Sequence, residues 1–103
     1  MTELSETIEL MQSEDYRERF KAEYWQVKIR LSKLGGMIKK YKAGTLEFEP
    51  KCSIEILKRQ FITMHEYLFV LLERARIEGI YLHGGTNDGD TSVYSDCAFV
   101  VRV

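Results

Sequence analysis

From Lys28 to Lys42 the chain carries six basic side chains (Lys28, Arg30, Lys33, Lys39, Lys40 and Lys42) and not one acid. Tyr24 and Arg19 precede this run, Tyr41 lies within it, and Arg59, Tyr67, Arg74 and Arg76 follow later. Guanidinium forks and ammonium point charges hold phosphates, while tyrosine rings stack on bases. The set therefore points to a surface for a phosphorylated, base-bearing ligand, contacted by Arg19, Tyr24, Lys28, Arg30, Lys33, Tyr67 and Arg74. A competing account makes the same charges the solvated flanks of a helical seam, paired with Glu23, Glu66 and Glu73. That account serves most individual positions. Over Lys28–Lys42 the two stand level, because no acid lies within the run.

Other chemistry is thin. The chain shows no Gly-x-Ser-x-Gly elbow, phosphate-binding P-loop, His-Glu-x-x-His pair or dinucleotide fingerprint. His65 stands beside the apolar Met64 inside a helical stretch and reads as a packed or solvated histidine, not a base. His83, Cys52 and Cys97 match no zinc spacing. Asn87, Asp88 and Asp90 lack the terminal glutamate of a calcium loop. No catalytic residue, metal or cofactor is expected, and the chain reads as a non-enzyme.

The elements that must position the basic set are legible from spacing. Phe20, Tyr24, Val27, Leu31, Leu34, Ile38 and Tyr41 follow one another at steps of 4 and 3, the 3.5-residue rhythm of a coiled-coil seam. One helix is expected from about Glu14 to Lys42, with Ser13 as N-cap and Gly44 as the left-handed stop. Leu46 and Phe48, around the single proline, are expected to fold back and plug the hairpin end. Ile54, Leu57, Phe61, Met64, Leu68, Leu71 and Ala75 repeat the same rhythm in a second helix, capped by Ser53 and stopped at Gly79. Pairing outward from the loop sets Lys42 beside Ser53, Lys28 near Tyr67 and Arg19 near Arg76. Ile80 to Leu82, Val93, Tyr94 and Ala98 to Val103 are β-prone, with the turn-rich HGGTNDGDTS between them. The fold class expected is mainly α: a long antiparallel helical hairpin with a short C-terminal β-hairpin, in one domain. Its segments are residues 1–12, 13–79 and 80–103.

Ala22, Trp25, Ile29, Ser32 and Gly36 form a second stripe on the first helix, and Gly35-Gly36 costs about 1 kcal/mol per glycine against alanine. Close helix approach would offset that cost. The second helix is also apolar off its seam, at Ile56, Ile62, Tyr67, Phe69, Val70 and Leu72. Either the tail and the N-terminal segment (Leu4, Ile8, Leu10 and Met11) cover this surplus, or hairpins pack side by side. The second is preferred, because the helices are long and the covers short. A homo-oligomer is thus expected, with Ala22, Trp25, Ile29 and Gly36 at its interface.

At 103 residues with 45% hydrophobic and 30% charged content the chain is one ordinary globular domain. Its charge is uneven: five acids and no base in residues 1–15, then nine bases and two acids in 16–44. Two widely spaced cysteines do not make a disulfide scaffold. The acidic N-terminus lacks the pattern of a signal peptide, and the longest apolar run, Tyr67 to Leu72, is too short to span a membrane. A cytoplasmic protein without membrane contact is expected. The near-neutral net charge of −1 disfavours nucleic acid as a partner.

Residues 13–80 resemble a family of short proteins from phages and prophages of gut bacteria, related to a crAss-like phage protein. The resemblance is carried by Glu23-Tyr24, the turn Ala43-Gly44-Thr45-Leu46-Glu47-Phe48-Glu49-Pro50 with Cys52, and Ile54-Glu55 with Leu57. Gln60, Met64, Tyr67, Arg74-Ala75 and Glu78-Gly79-Ile80 complete it. Ser53 departs from it, since many relatives have proline there, and the tail beyond Leu82 lies outside it. The resemblance implies phage origin, the cytoplasm of an infected bacterium and a helical hairpin. In architecture alone, the chain is similar to small oligomeric phage proteins that soak up immune nucleotide signals. The function expected is counter-defence: pockets between hairpins that sequester a cyclic nucleotide or cyclic ADP-ribose-type ligand. The alternatives are an inhibitor or adaptor of a host enzyme, and a nucleic-acid-binding accessory protein.

Overall fold

The computed structural model describes residues 3–82. A 3-10 turn at Leu4–Thr7 leads into a short helix α1 (Ile8–Met11), followed by two long helices, α2 (Tyr16–Ala43) and α3 (Ile54–Glu78). The expected β tail beyond Leu82 lies outside the described residues. Ile80 to Leu82, read as a strand from composition, carry no strand assignment.

Both long helices begin and end on local chemistry. Asp15, not Ser13, caps α2: its carboxylate accepts from the Arg17 amide at 2.9 Å, while Ser13 donates its hydroxyl to Glu18 at 2.5 Å. Ser53 caps α3 by accepting from the Ile56 amide. Gly44 and Gly79 close the two helices with φ of 75° and 70°, a backbone conformation that glycine adopts without a Cβ penalty. At the first stop the Thr45 amide donates to the Lys40 carbonyl and the Gly44 amide to that of Tyr41, the paired bonds of a Schellman turn. At the second, the Ile80 amide donates to the Ala75 carbonyl, and the two side chains are both buried. This hydrophobic contact, rather than strand pairing, fixes Ile80.

The two seams meet as their spacing requires. Phe20, Tyr24, Val27, Leu31 and Ile38 from α2 are buried with Leu57, Phe61, Leu68, Leu71 and Ala75 from α3. The helices run antiparallel, since Tyr16 at the start of α2 bonds Glu78 at the end of α3. Gly35 shows how close they come: a Cβ added there would lie 2.7 Å from the Phe61 ring. A Cβ on Gly36 would meet nothing within 4 Å. Of the glycine pair, only Gly35 is required by the close approach expected of it, and within the hairpin.

One expectation is corrected here. Phe48 does not plug the loop end; it is 58% exposed, and only Leu46 is half-buried. Pro50 disfavours helical geometry at Glu49, and no helix forms between Ala43 and Ile54. On the second stripe of α2, Ala22 and Ile29 are buried within one chain, while Trp25 and Gly36 are half-buried and Ser32 is exposed. Between Ala22 and Ile29, Gln26 donates to the Thr7 hydroxyl at 3.0 Å and to the Met11 sulfur at 3.5 Å. The N-terminal segment therefore lies on this face. Thr7, itself buried, donates its hydroxyl hydrogen bond to the Leu4 carbonyl at 2.7 Å. Trp25 is half-buried and donates its indole N–H to the Leu82 carbonyl.

Candidate functional site

Residues two apart on a helix point about 160° away from each other, so Lys28 and Arg30 cannot line one flank of the seam. The structure sorts the candidate ligand residues accordingly. Tyr16, Arg19, Glu23, Arg30 and Lys33 step along α2 at 3, 4, 7 and 3, which is one flank, bordered at Gln26 by the N-terminal segment. Across the seam from it stand Tyr67 and Arg74 of α3. Tyr67 donates its phenol proton to the Glu23 carboxylate, and Arg74 donates Nη2 to the Tyr16 hydroxyl at 2.5 Å. Five of the seven candidates, Arg19, Arg30, Lys33, Tyr67 and Arg74, thus share this flank.

The other two do not. Tyr24 occupies a seam position and is wholly buried, at 0% exposure, so its ring serves the core and not a ligand. Lys28 lies on the opposite flank and is also buried, with Nζ 5.1 Å from the Trp25 ring centroid and 5.8 Å from that of Tyr24. An ammonium over two aromatic faces is held by cation–π attraction. The expected nearness of Lys28 to Tyr67 holds along the hairpin axis but not around it: Tyr67 meets Glu23.

Arg74 is the best-anchored cation of the flank. Its Nε reaches Glu78 at 3.3 Å, one helical turn on, and its guanidinium sits 4.8 Å from the Phe20 ring centroid. Tyr16 closes the set by donating to the other Glu78 oxygen at 2.9 Å. The guanidinium is therefore oriented before any ligand arrives; Tyr16, which it bonds, and Tyr67, two turns earlier on α3, are both exposed. Arg19 is tied down as well, donating to the Ser13 carbonyl at 2.8 Å. Arg30 and Lys33 are exposed. Spacing alone missed Tyr16 and Glu78, although Tyr16 stands four residues before Phe20 and Arg74–Glu78 is an i,i+4 pair.

The Glu23 carboxylate, by accepting the phenol proton and by its charge, pushes the Tyr67 pKa up to about 12, with partial desolvation acting in the same direction. A phenol whose folded pKa exceeds the ordinary value of about 10 stabilises the fold below pH 10, and loses that contribution as pH rises through 12. In an ultraviolet titration of the tyrosines, the wild type is expected to show one more exposed tyrosine ionising late than Tyr67→Phe does. Glu23→Gln should return that tyrosine to the main group. A wild type with no such extra late tyrosine contradicts the Tyr67–Glu23 bond.

His65 behaves as expected of a packed residue: it is buried, with its ring edge-on to Phe69 at 4.7 Å, and burial lowers its pKa. Among the described residues no group of three His, Cys, Asp or Glu side chains could hold a metal. None of the helices there is long and apolar enough to cross a membrane. Cys52 is exposed in the loop. His83, Cys97 and the Asn87–Asp90 turn lie outside the described residues.

Fold and flank together define a small helical hairpin with oriented cations and exposed tyrosines along one side. A sequence model of the Sequestin family matches residues 14–77. The chain belongs to the Sequestin family. The match begins just before α2 and ends one residue short of the end of α3, so the family region is the hairpin itself. No curated protein matches the chain, and no solved structure does.

Proposed function

We propose that the chain is a phage-encoded binding protein that sequesters a nucleotide-type immune signal in the cytoplasm of an infected bacterium. Family membership supports the coarser part of this reading, since Sequestin names a protein that withholds something. The observation that supports the ligand class is this flank: a guanidinium fixed by Tyr16 and Glu78, a second exposed tyrosine, Tyr67, two turns away on α3, and Arg19, Arg30 and Lys33 along the same side. Fixed guanidinium forks suit phosphate oxygens, and tyrosine faces suit bases. The pockets would form where two hairpins bring such flanks together, in a homo-oligomer.

Calorimetry against cyclic di- and trinucleotides and cyclic ADP-ribose isomers tests the ligand. One member of the panel is expected to bind tightly, and silence across it overturns the nucleotide reading. A second reading, an inhibitor or adaptor of a host enzyme, is favoured by the exposed apolar residues Ile56, Val70 and Ile77 on α3. It is distinguished by a stoichiometric host protein captured by the chain and lost on Val70→Glu. Arg30, Lys33, Lys39 and Lys40 would serve a nucleic-acid accessory role instead only if binding showed a steep salt slope.

A further inference from the structure

The hairpin has a second flank, turned away from Tyr67 and Arg74. On α2 it is formed by Trp25, Lys28, Lys39 and Lys42, at steps of 3, 11 and 3, which is one face of a helix. His65 stands two residues before Tyr67 and so turns to this side, with Ile62, Phe69 and Leu72 at steps of 3, 4 and 3 along α3. The flank is aromatic and apolar around Trp25, Phe69 and Leu72, and basic toward the loop. Lys28 and His65 are buried on it, although neither belongs to a seam. The N-terminal segment does not cover them, since it lies against Gln26 on the far side of α2.

We propose that residues 83–103 of the same chain dock along this flank, from Trp25 toward the loop, and leave the Tyr16–Arg74 side open. The chain itself leads there. Ile80 is buried, Leu82 packs on the core, and the Trp25 indole N–H donates to the Leu82 carbonyl at 3.3 Å. Residue 83 therefore starts beside Trp25. The length suffices: Trp25 to Lys42 spans about 25 Å at 1.5 Å per residue, which about eight residues of extended chain cover. Residues 83–103 can run that distance and return. Their chemistry is complementary as well. Asp88, Asp90 and Asp96 stand against one base, Arg102, and suit the lysines. The apolar run Ala98-Phe99-Val100-Val101 suits Trp25, Ile62, Phe69 and Leu72. A tethered segment also acts at an effective concentration of mM order, which a separate molecule seldom reaches.

Two measurements on the full chain, both without ligand, test the docking. Trp25 is the single tryptophan, so acrylamide quenching of its fluorescence reports the cover directly. The double variant F99D/V101D, which sets carboxylates in the apolar run, is expected to raise the quenching constant severalfold, with circular dichroism showing that the hairpin stays helical. Quenching that ignores the variant overturns the proposal. The second measurement leaves that run intact. Cys52→Ser makes Cys97 the only thiol, and a nitroxide placed there weakens the NMR signals of nearby methyl groups. Those of Ile62 and Leu72 are expected to weaken more than those of Ile56, Val70 and Ile77, which leave α3 on other sides. Even weakening, or the reverse order, overturns the proposal. The same pattern in a mixture of isotope-labelled chain lacking the nitroxide and unlabelled chain carrying it would give the flank to another copy, and overturns it too.

Discussion

Phe61→Ala is expected to remove about 3–5 kcal/mol of folding stability, a large share of the 5–15 kcal/mol typical of a small domain. The ring is buried at the centre of the seam and fills the gap left by Gly35 on the facing helix. The pairing makes a sharper expectation than the loss itself. In the wild type, Gly35→Ala drives a Cβ to 2.7 Å from the ring, and overpacking of about 1–3 kcal/mol outweighs the roughly 1 kcal/mol that alanine adds to a helix. With Phe61 truncated, the same substitution should become stabilising. Gly36→Ala, facing open space, should stabilise the wild type by about 1 kcal/mol. Urea denaturation of the single and double variants reads all of these. Equal stabilisation by Gly35→Ala and Gly36→Ala in the wild type contradicts the close approach of α2 and α3.

The second large effect concerns binding. A charge-assisted hydrogen bond to phosphate contributes about 1.5–3 kcal/mol, or roughly 10- to 150-fold in affinity. Arg74→Ala is expected to weaken the nucleotide by at least that lower bound. Arg30→Ala should do the same without loss of stability, because Arg30 is exposed. Lys28→Ala should leave affinity unchanged, since its ammonium lies on the far flank against Trp25, but should lower stability. Calorimetry and denaturation on the three variants separate these outcomes. Affinity lost with Lys28 but not with Arg74 would place the site on the opposite flank.

How much of this was legible depends on the range of the interaction. The two seams, the Ser53 cap and the Gly44 and Gly79 stops are local, and spacing with residue type shows them. The start of α2 moved from Ser13 to Asp15 because Ser13 turns its hydroxyl to Glu18, a choice between two good caps that composition does not make. The axial register of the hairpin was also legible, as Gly35 against Phe61 confirms. Rotation about the axis was not used, and it is what separates Lys28 from Tyr67. The cover over Ala22 and Ile29 was hard to foresee because Leu4 to Met11 is too short to show a period, and its polar ties are long-range bonds from Gln26 to Thr7 and Met11. Tyr24 reads equally as a core ring or a stacking ring by type; its seam position decides for the core.

Sequestration differs from turnover and from passing contact in one respect that a single experiment captures: the ligand is withheld, and it is unchanged. The candidate nucleotide found by calorimetry would be mixed with a molar excess of the protein, passed through a membrane that retains the chain, and recovered from the retained fraction after heat denaturation. The expected result is a filtrate depleted of nucleotide and full recovery of the intact molecule on denaturation. Nucleotide passing freely into the filtrate, or returning as a cleaved product, would contradict sequestration.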